Sequence, residues 1–165
     1  VYYDGAIDLI GCDAIHAVDA LRWMAGSEPK HVAAVQGRYD DCVLNAWNAV
    51  VRFENDATGV LLTNWKTGGR VHTFEMHGPG ASAFLDPDST GRLVIGDKTE
   101  ELETTAIAGS KERHVFYGFR QQSRHFIDCV KSGAEPSSSF QDSLKTMRFV
   151  DRLRSGDIGW RDETR

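Results

Sequence analysis

The sequence predicts an α+β fold, with a large, mostly antiparallel open β-sheet and helices on one of its faces. Three observations lead there. A helical pattern opens the chain, a consecutive run of strand patterns with short turns follows, and two more helical patterns close it. Strands in one uninterrupted run pair with their neighbours through hairpins, and helices at both ends can lie on the face they leave.

Each element follows from its residues. Over residues 7 to 25, Ile7, Ile10, Ile15, Val18, Leu21, Arg22 and Met24 recur at spacings that predict one helix with one buried face. Gly26 stops it and Pro29 turns the chain away. "HVAAVQGRY" (31–39) and "AWNAVVRFEN" (46–55) are rich in Val and aromatics and partly alternate. "TGVLLTNWK" (58–66) returns after a turn at "END", so 46–66 reads as a hairpin. "RVHTFEMHG" (70–78), "ASAFLDP" (81–87), "GRLVIGD" (91–97) and "TEELETT" (99–105) continue the run, the last as an edge strand blunted by its charges. In 115–133, Phe119, Phe126, Ile127 and Val130 predict a helical stripe ending at Gly133. In 139–156, Leu144, Met147, Val150 and Leu153 predict a second. Tyr39, Trp47, Phe53 and Trp65 supply more aromatic surface than a water-facing sheet carries, which predicts a face buried against a second subunit.

The 165 residues, with no repeat or linker, fit one domain spanning 1–165. A net charge of −5 with the two signs interspersed argues against a nucleic-acid surface. Cys12, Cys42 and Cys129 form no CxxC or zinc-knuckle pattern, so a reduced cytoplasmic setting with mostly buried thiols is expected. No apolar run is long enough to span a bilayer, and no signal peptide opens the chain. The first residue is Val1 rather than Met, which reads as a fragment or a processed chain.

The chemistry concentrates in "GCDAIHAVDALRWMAG" (11–26). On a helix, Cys12 and Asp13 lie one turn before His16, and Asp19 one turn after it. A histidine with carboxylate neighbours is held in one tautomer and can take a proton from an alcohol as a hydride leaves the same carbon. The plainer alternative is a core histidine between two surface aspartates.

The same stretch resembles the helix that opens the C-terminal domain of the Gfo/Idh/MocA family of NAD(P)-dependent oxidoreductases, where a histidine is followed by "xxDxxRW" and a glycine; here these are His16, Asp19, Arg22, Trp23 and Gly26. "FEMHGPGASAFLD" is similar to the family's strand, glycine turn and strand. "GFRQQSRHFIDCVKSGAEPSSSFQDSLKTMRFVDRL" is similar to its closing helix pair, with Asp142 and Leu144 as the "DxL". The resemblance implies a dihydrodipicolinate-reductase-like C-terminal domain that binds substrate and forms dimers or tetramers through its sheet. NAD or NADP would be held mainly by an N-terminal Rossmann domain absent from this chain. "GRLVIGD" and "GPGAS" lack the spacing and following helix of a dinucleotide fingerprint, and the family's "EKP" lysine is also absent. The chain alone is therefore expected to be inactive.

Under that resemblance His16 and Asp13 are the catalytic candidates, with Cys12 and Asp19 facing substrate. The family's acidic residue four positions before the histidine is replaced by Cys12, and Asp13 is rotated about 100° from it on a regular helix. "NWKTGGRVHTF" adds Trp65, Lys66, Arg70 and His72 as substrate-binding candidates, Arg70 and His72 sharing a strand face. The alternative is a solvated hairpin end. His31, His77, His114 and His125 show no metal-ligand spacing, and no metal is expected. The leading expectation is hydride transfer between a nicotinamide and a sugar, polyol or related small hydroxy compound. Its rivals are a non-catalytic binding or assembly module on the same fold and a metal-dependent hydrolase or isomerase using Asp13 and His16.

Overall fold

A computed structural model describes residues 8–41 and 43–156; Ile7 and Cys42 lie outside them. The order is α1 (Leu9–Cys12), α2 (Ile15–Ala25), β1 (Pro29–Gly37), β2 (Ala46–Phe53), β3 (Thr58–Asn64), β4 (Phe74–Gly78), β5 (Ala81–Leu85), β6 (Thr90–Ile95), β7 (Lys98–Glu103), α3 (Thr104–Ala108), α4 (Arg113–Phe116), α5 (Phe119–Ser132) and α6 (Phe140–Ser155). Every strand pair is antiparallel, and the fold is α+β. The strands form two hydrogen-bonded sheets, β1-β2-β3 and β4-β5-β6-β7. The chain, expected as one domain, divides into two compact units. The first joins the residues up to Gly68 to those from Ser138, and the second is Gly69–Ser137.

In the first unit, α2 packs on β3 and on α6, and α6 packs on β1. The strict alternation of β2 turns Trp47, Ala49, Val51 and Phe53 toward these helices, and the register sets Val51 beside Val32 and Ala49 beside Ala34 and Leu61. Ile10, Val18, Phe149, Val150 and Leu153 complete that core. Phe149 meets Phe53 edge-on at 6.3 Å, a favoured aromatic geometry. Gly59 is where α2 comes closest, since a Cβ there would stand 2.8 Å from Leu21 Cδ1. Trp47 and Phe53 are thus core, and not part of an aromatic outer face. What the outer face shows is aliphatic: Val35, Val50, Val60 and Leu62 stand exposed, with Val50 directly beside Val60.

In the first unit two helices differ from what the sequence predicts. The opening helix breaks after Cys12 and restarts at Ile15, with Asp13 between them at φ −130° and ψ −57°. In α6 the buried residues are Thr146, Phe149, Val150 and Leu153, while Leu144 is exposed.

The second unit is a four-stranded meander whose outer strand β7 is the expected charged edge. α3 packs on β7, and α4 packs on α5. Of α5 only Cys129 is buried, while Phe119, Phe126, Ile127 and Val130 are exposed, contrary to the expected stripe. Gly118 starts that helix at φ +78°, a conformation open to glycine that a side chain would strain.

Candidate functional site

Four carboxylate or hydroxyl groups close around one buried cation. Arg22 faces inward from α2, and a charge there requires partners. Its guanidinium reaches Asp142 at 2.6 Å and Glu28 at 2.9 Å, and its Nε donates to Thr146 Oγ1 at 3.2 Å. Thr146 Oγ1 in turn donates to Asp19 Oδ1, which also lies 3.5 Å from Arg22. Burial by itself lowers the affinity of Arg22 for its proton, but the hydrogen bond and charge of Asp142, then those of Glu28, hold its pKa above the ordinary value. Asp19 therefore serves a clasp between α2 and α6. Thr146 and Glu28 were missed in the sequence, where the only signal was a charged residue on a buried face.

The opposite end of the cluster is open. Cys12, Asp13 and His16 are all exposed. Asp8 caps α1 through Gly11 N and pairs with Arg154 at 2.7 Å, which anchors this short helix to α6. After the break, His16 N donates to the Asp13 carbonyl at 3.3 Å. The Asp13 side chain accepts from Trp65 Nε1 at 2.9 Å, so the end of β3 and the turn before α2 are joined at this point. Trp65 packs against the core and meets the buried Trp47 edge-on, with centroids 6.0 Å apart and planes at 89°. Trp47 Nε1 is buried with no hydrogen-bond partner among the described residues.

The structure therefore brings Asp13 and Trp65 together next to the helix carrying His16. Lys66 lies in the same unit, 3.8 Å from Asp41. Arg70 and His72 belong to the second unit, where Arg70 Nε is 3.9 Å from Asp88 and His72 meets Phe74 edge-on at 4.9 Å. Neither is on a strand, because β4 begins at Phe74; the shared strand face expected for them is not formed.

Among the described residues, no three His, Cys, Asp or Glu side chains gather as a metal site, and no helix is long and apolar enough to cross a membrane. The glycine stretches also fail as a nicotinamide cradle: "GPG" is the β4–β5 turn, and "GRLVIG" runs through β6 into the next turn, so neither opens a helix.

Comparison with known proteins agrees with this geometry. The chain is similar to an oxidoreductase from Agrobacterium radiobacter in complex with NAD+, L-tartaric acid and magnesium, at 16% identity and a TM-score of 0.76 over 92% of this chain and 47% of that one. It is similar to levoglucosan dehydrogenase in complex with NADH and levoglucosan (19% identity, TM-score 0.77, 88% of this chain and 46% of that one). A third is the aldose-aldose oxidoreductase from Caulobacter crescentus complexed with glycerol (21% identity, TM-score 0.71, 86% and 43%). The chain thus spans about half the length of each of these structures. A search of curated proteins finds no match. The family model described as the GFO/IDH/MocA C-terminal domain matches residues 9–84, from the opening helices into the fifth strand, and over this region the chain is similar to that family.

Proposed function

We propose that this chain is the substrate-binding and oligomerisation part of an NAD(P)-dependent oxidoreductase acting on a sugar, a polyol or a related small hydroxy compound. The observation that carries the reading is the exposed His16 on the helix that follows Asp13, whose carboxylate is held by Trp65, in the region of the family match. Oxidising an alcohol requires a group to receive the hydroxyl proton, and an exposed imidazole is suited to that at neutral pH. His16 is assigned this proton, and Asp13, with Cys12 beside it, the substrate's hydroxyls. Trp65 contributes the ring edge of that surface, and Lys66 lies next to it in the chain. NAD or NADP chemistry would come from a Rossmann domain outside this chain, since nothing described here is built to hold it. Similar proteins with NAD+ or NADH in their complexes support that expectation.

Arg70 and His72 are retained as substrate-facing candidates on the family resemblance alone. The exposed aliphatic row Val35, Val50, Val60 and Leu62 supports self-association through the β1–β3 sheet. A cytoplasmic setting and inactivity of the isolated chain complete the reading.

The test is a panel of sugars and polyols with NAD and NADP on the full-length protein, comparing wild type with His16→Ala. The expected result is a loss of kcat of about 100-fold or more in the variant. An unchanged rate removes His16 from its role. One observation favours a non-catalytic module on the same fold, namely Cys12 at the position where the family places an acid; absence of turnover across the whole panel would select it.

A further inference from the structure

We propose that Trp65 is a positioning residue whose indole N–H fixes the Asp13 carboxylate, leaving the second carboxylate oxygen to accept a hydroxyl of a polyhydroxylated ligand. The ligand part rests on the function proposed above; the contact itself does not.

The argument starts from the helix break. A regular helix would set positions 12 and 13 one turn before His16, on either side of it, and position 12 is a cysteine. The chain instead leaves helical geometry at Asp13, whose φ of −130° and ψ of −57° re-aim its side chain. The Asp13 carbonyl still accepts the His16 amide at 3.3 Å, so the two backbones stay tied while the carboxylate is freed from the helix surface.

An exposed carboxylate on its own samples many rotamers and is a poor template for a ligand. Here Trp65 Nε1 donates to Oδ2 at 2.9 Å from a residue 52 positions away in the sequence. That donor has little freedom. Trp65 N donates to the carbonyl of Asn45, a fully buried residue, at 3.0 Å, and its ring meets the edge of Trp47, which is 1% exposed. The N–H is therefore held in place, and a hydrogen bond to a carboxylate is of the stronger kind. No described residue donates to Oδ1 of Asp13, and no described side chain bonds the His16 ring, so both are open to a ligand. A fixed acceptor beside an aromatic ring suits a hydroxyl of a polyhydroxylated ligand.

Two measurements test the contact and its use separately. In the chain labelled with 15N, Asp13→Ala should shift the Trp65 indole N–H signal and speed its exchange with solvent, while the exposed Trp23 indole stays unmoved. An unresponsive Trp65 signal overturns the contact. Trp65→Phe keeps an aromatic ring and deletes the donor. In the full-length protein it should raise KM for the preferred sugar or polyol about tenfold, with a smaller change in kcat. Trp65→Phe added to Asp13→Ala should cost nothing more. An unchanged KM, or additive losses, overturns the positioning role even if the indole responds. Should the full-length protein oxidise nothing, the proposed function fails on its own, and a titration of the labelled chain with glucose and glycerol decides the ligand part. Movement of the Trp65 indole that is lost in Asp13→Ala sustains it, and no movement with either ligand overturns it.

Discussion

The two units are held together by different means. The first buries Ile10, Trp47, Phe53, Phe149 and Leu153 completely or nearly so, and spends a buried arginine on tying two helices. In the second, Gly91, Val115 and Cys129 are the buried residues, and Met76, Ile95 and Ile107 stand exposed. The cause lies in the strands. β2 alternates so that Trp47, Ala49, Val51 and Phe53 are apolar and covered, whereas β7 reads Lys-Thr-Glu-Glu-Leu-Glu and leaves little to cover. Interdigitated side chains thus dominate one unit, and ladder hydrogen bonds with short-range contacts the other. Stability should be concentrated where the side chains interlock.

The largest effect expected from this contrast is at Phe149. Phe149→Ala removes one half of a buried aromatic pair and leaves a cavity, at a cost of about 3–5 kcal/mol. The same truncation at Phe126, 58% exposed, should cost no more than about 0.5 kcal/mol. Tryptophan fluorescence in a urea titration follows the first unit, which holds the described Trp23, Trp47 and Trp65, and amide hydrogen exchange within 69–137 reads the cost at Phe126. Equal costs at the two sites would dissolve the contrast. Arg22→Met comes next, at roughly 2–3 kcal/mol, because three carboxylates lose their common cation. That figure is set below the range for fully buried pairs because Asp142 and Glu28 are about one third exposed. Ser139→Ala should cost about 1 kcal/mol by leaving Asp142 N without its cap at the start of α6. Both are read from the same fluorescence transition.

How much of this was legible in the sequence varied with range. The β2–β3 hairpin was, because alternation and turn residues are local signals, and Asp56 takes the positive φ of that turn. Of the α6 stripe, Val150 and Leu153 lie on the buried face as expected, and Leu144 and Met147 do not. A series at every third residue falls back about 60° per step, so Leu144 and Met147 drift off the face that Thr146, Phe149, Val150 and Leu153 occupy. The α5 stripe showed that an apolar surface exists without showing what lies against it. In the candidate site, His16 was legible as a polar residue in a helical pattern, and Arg22 as a charge on a buried face. The break at Asp13 was not, since neither Asp13 nor Ala14 is a strong helix stop. Nor was the bond from Trp65, because no periodicity connects residues 52 apart.

The smallest effect is a pH dependence confined to the second unit. Tyr117 donates its hydroxyl to Asp88 Oδ1 at 2.8 Å, and this bond, followed by the carboxylate's charge, raises the phenol's pKa above its usual value. A raised folded-state pKa contributes stability that is complete below the unfolded value, about 10, and is lost as the pH climbs through the folded one. The contact is solvent-exposed, so the loss is a modest one seen only in alkali. Tyr117→Phe should remove a tyrosinate absorbance step that lies above the usual phenol value, with the extra hydrogen exchange it brings to the second unit, leaving the fluorescence transition of the first where it was. If alkali instead shifted that fluorescence transition in wild type and not in Tyr117→Phe, a contact in one unit would be setting the stability of the other. The two would then unfold as one cooperative body, and the difference in their packing would no longer mark a difference in stability.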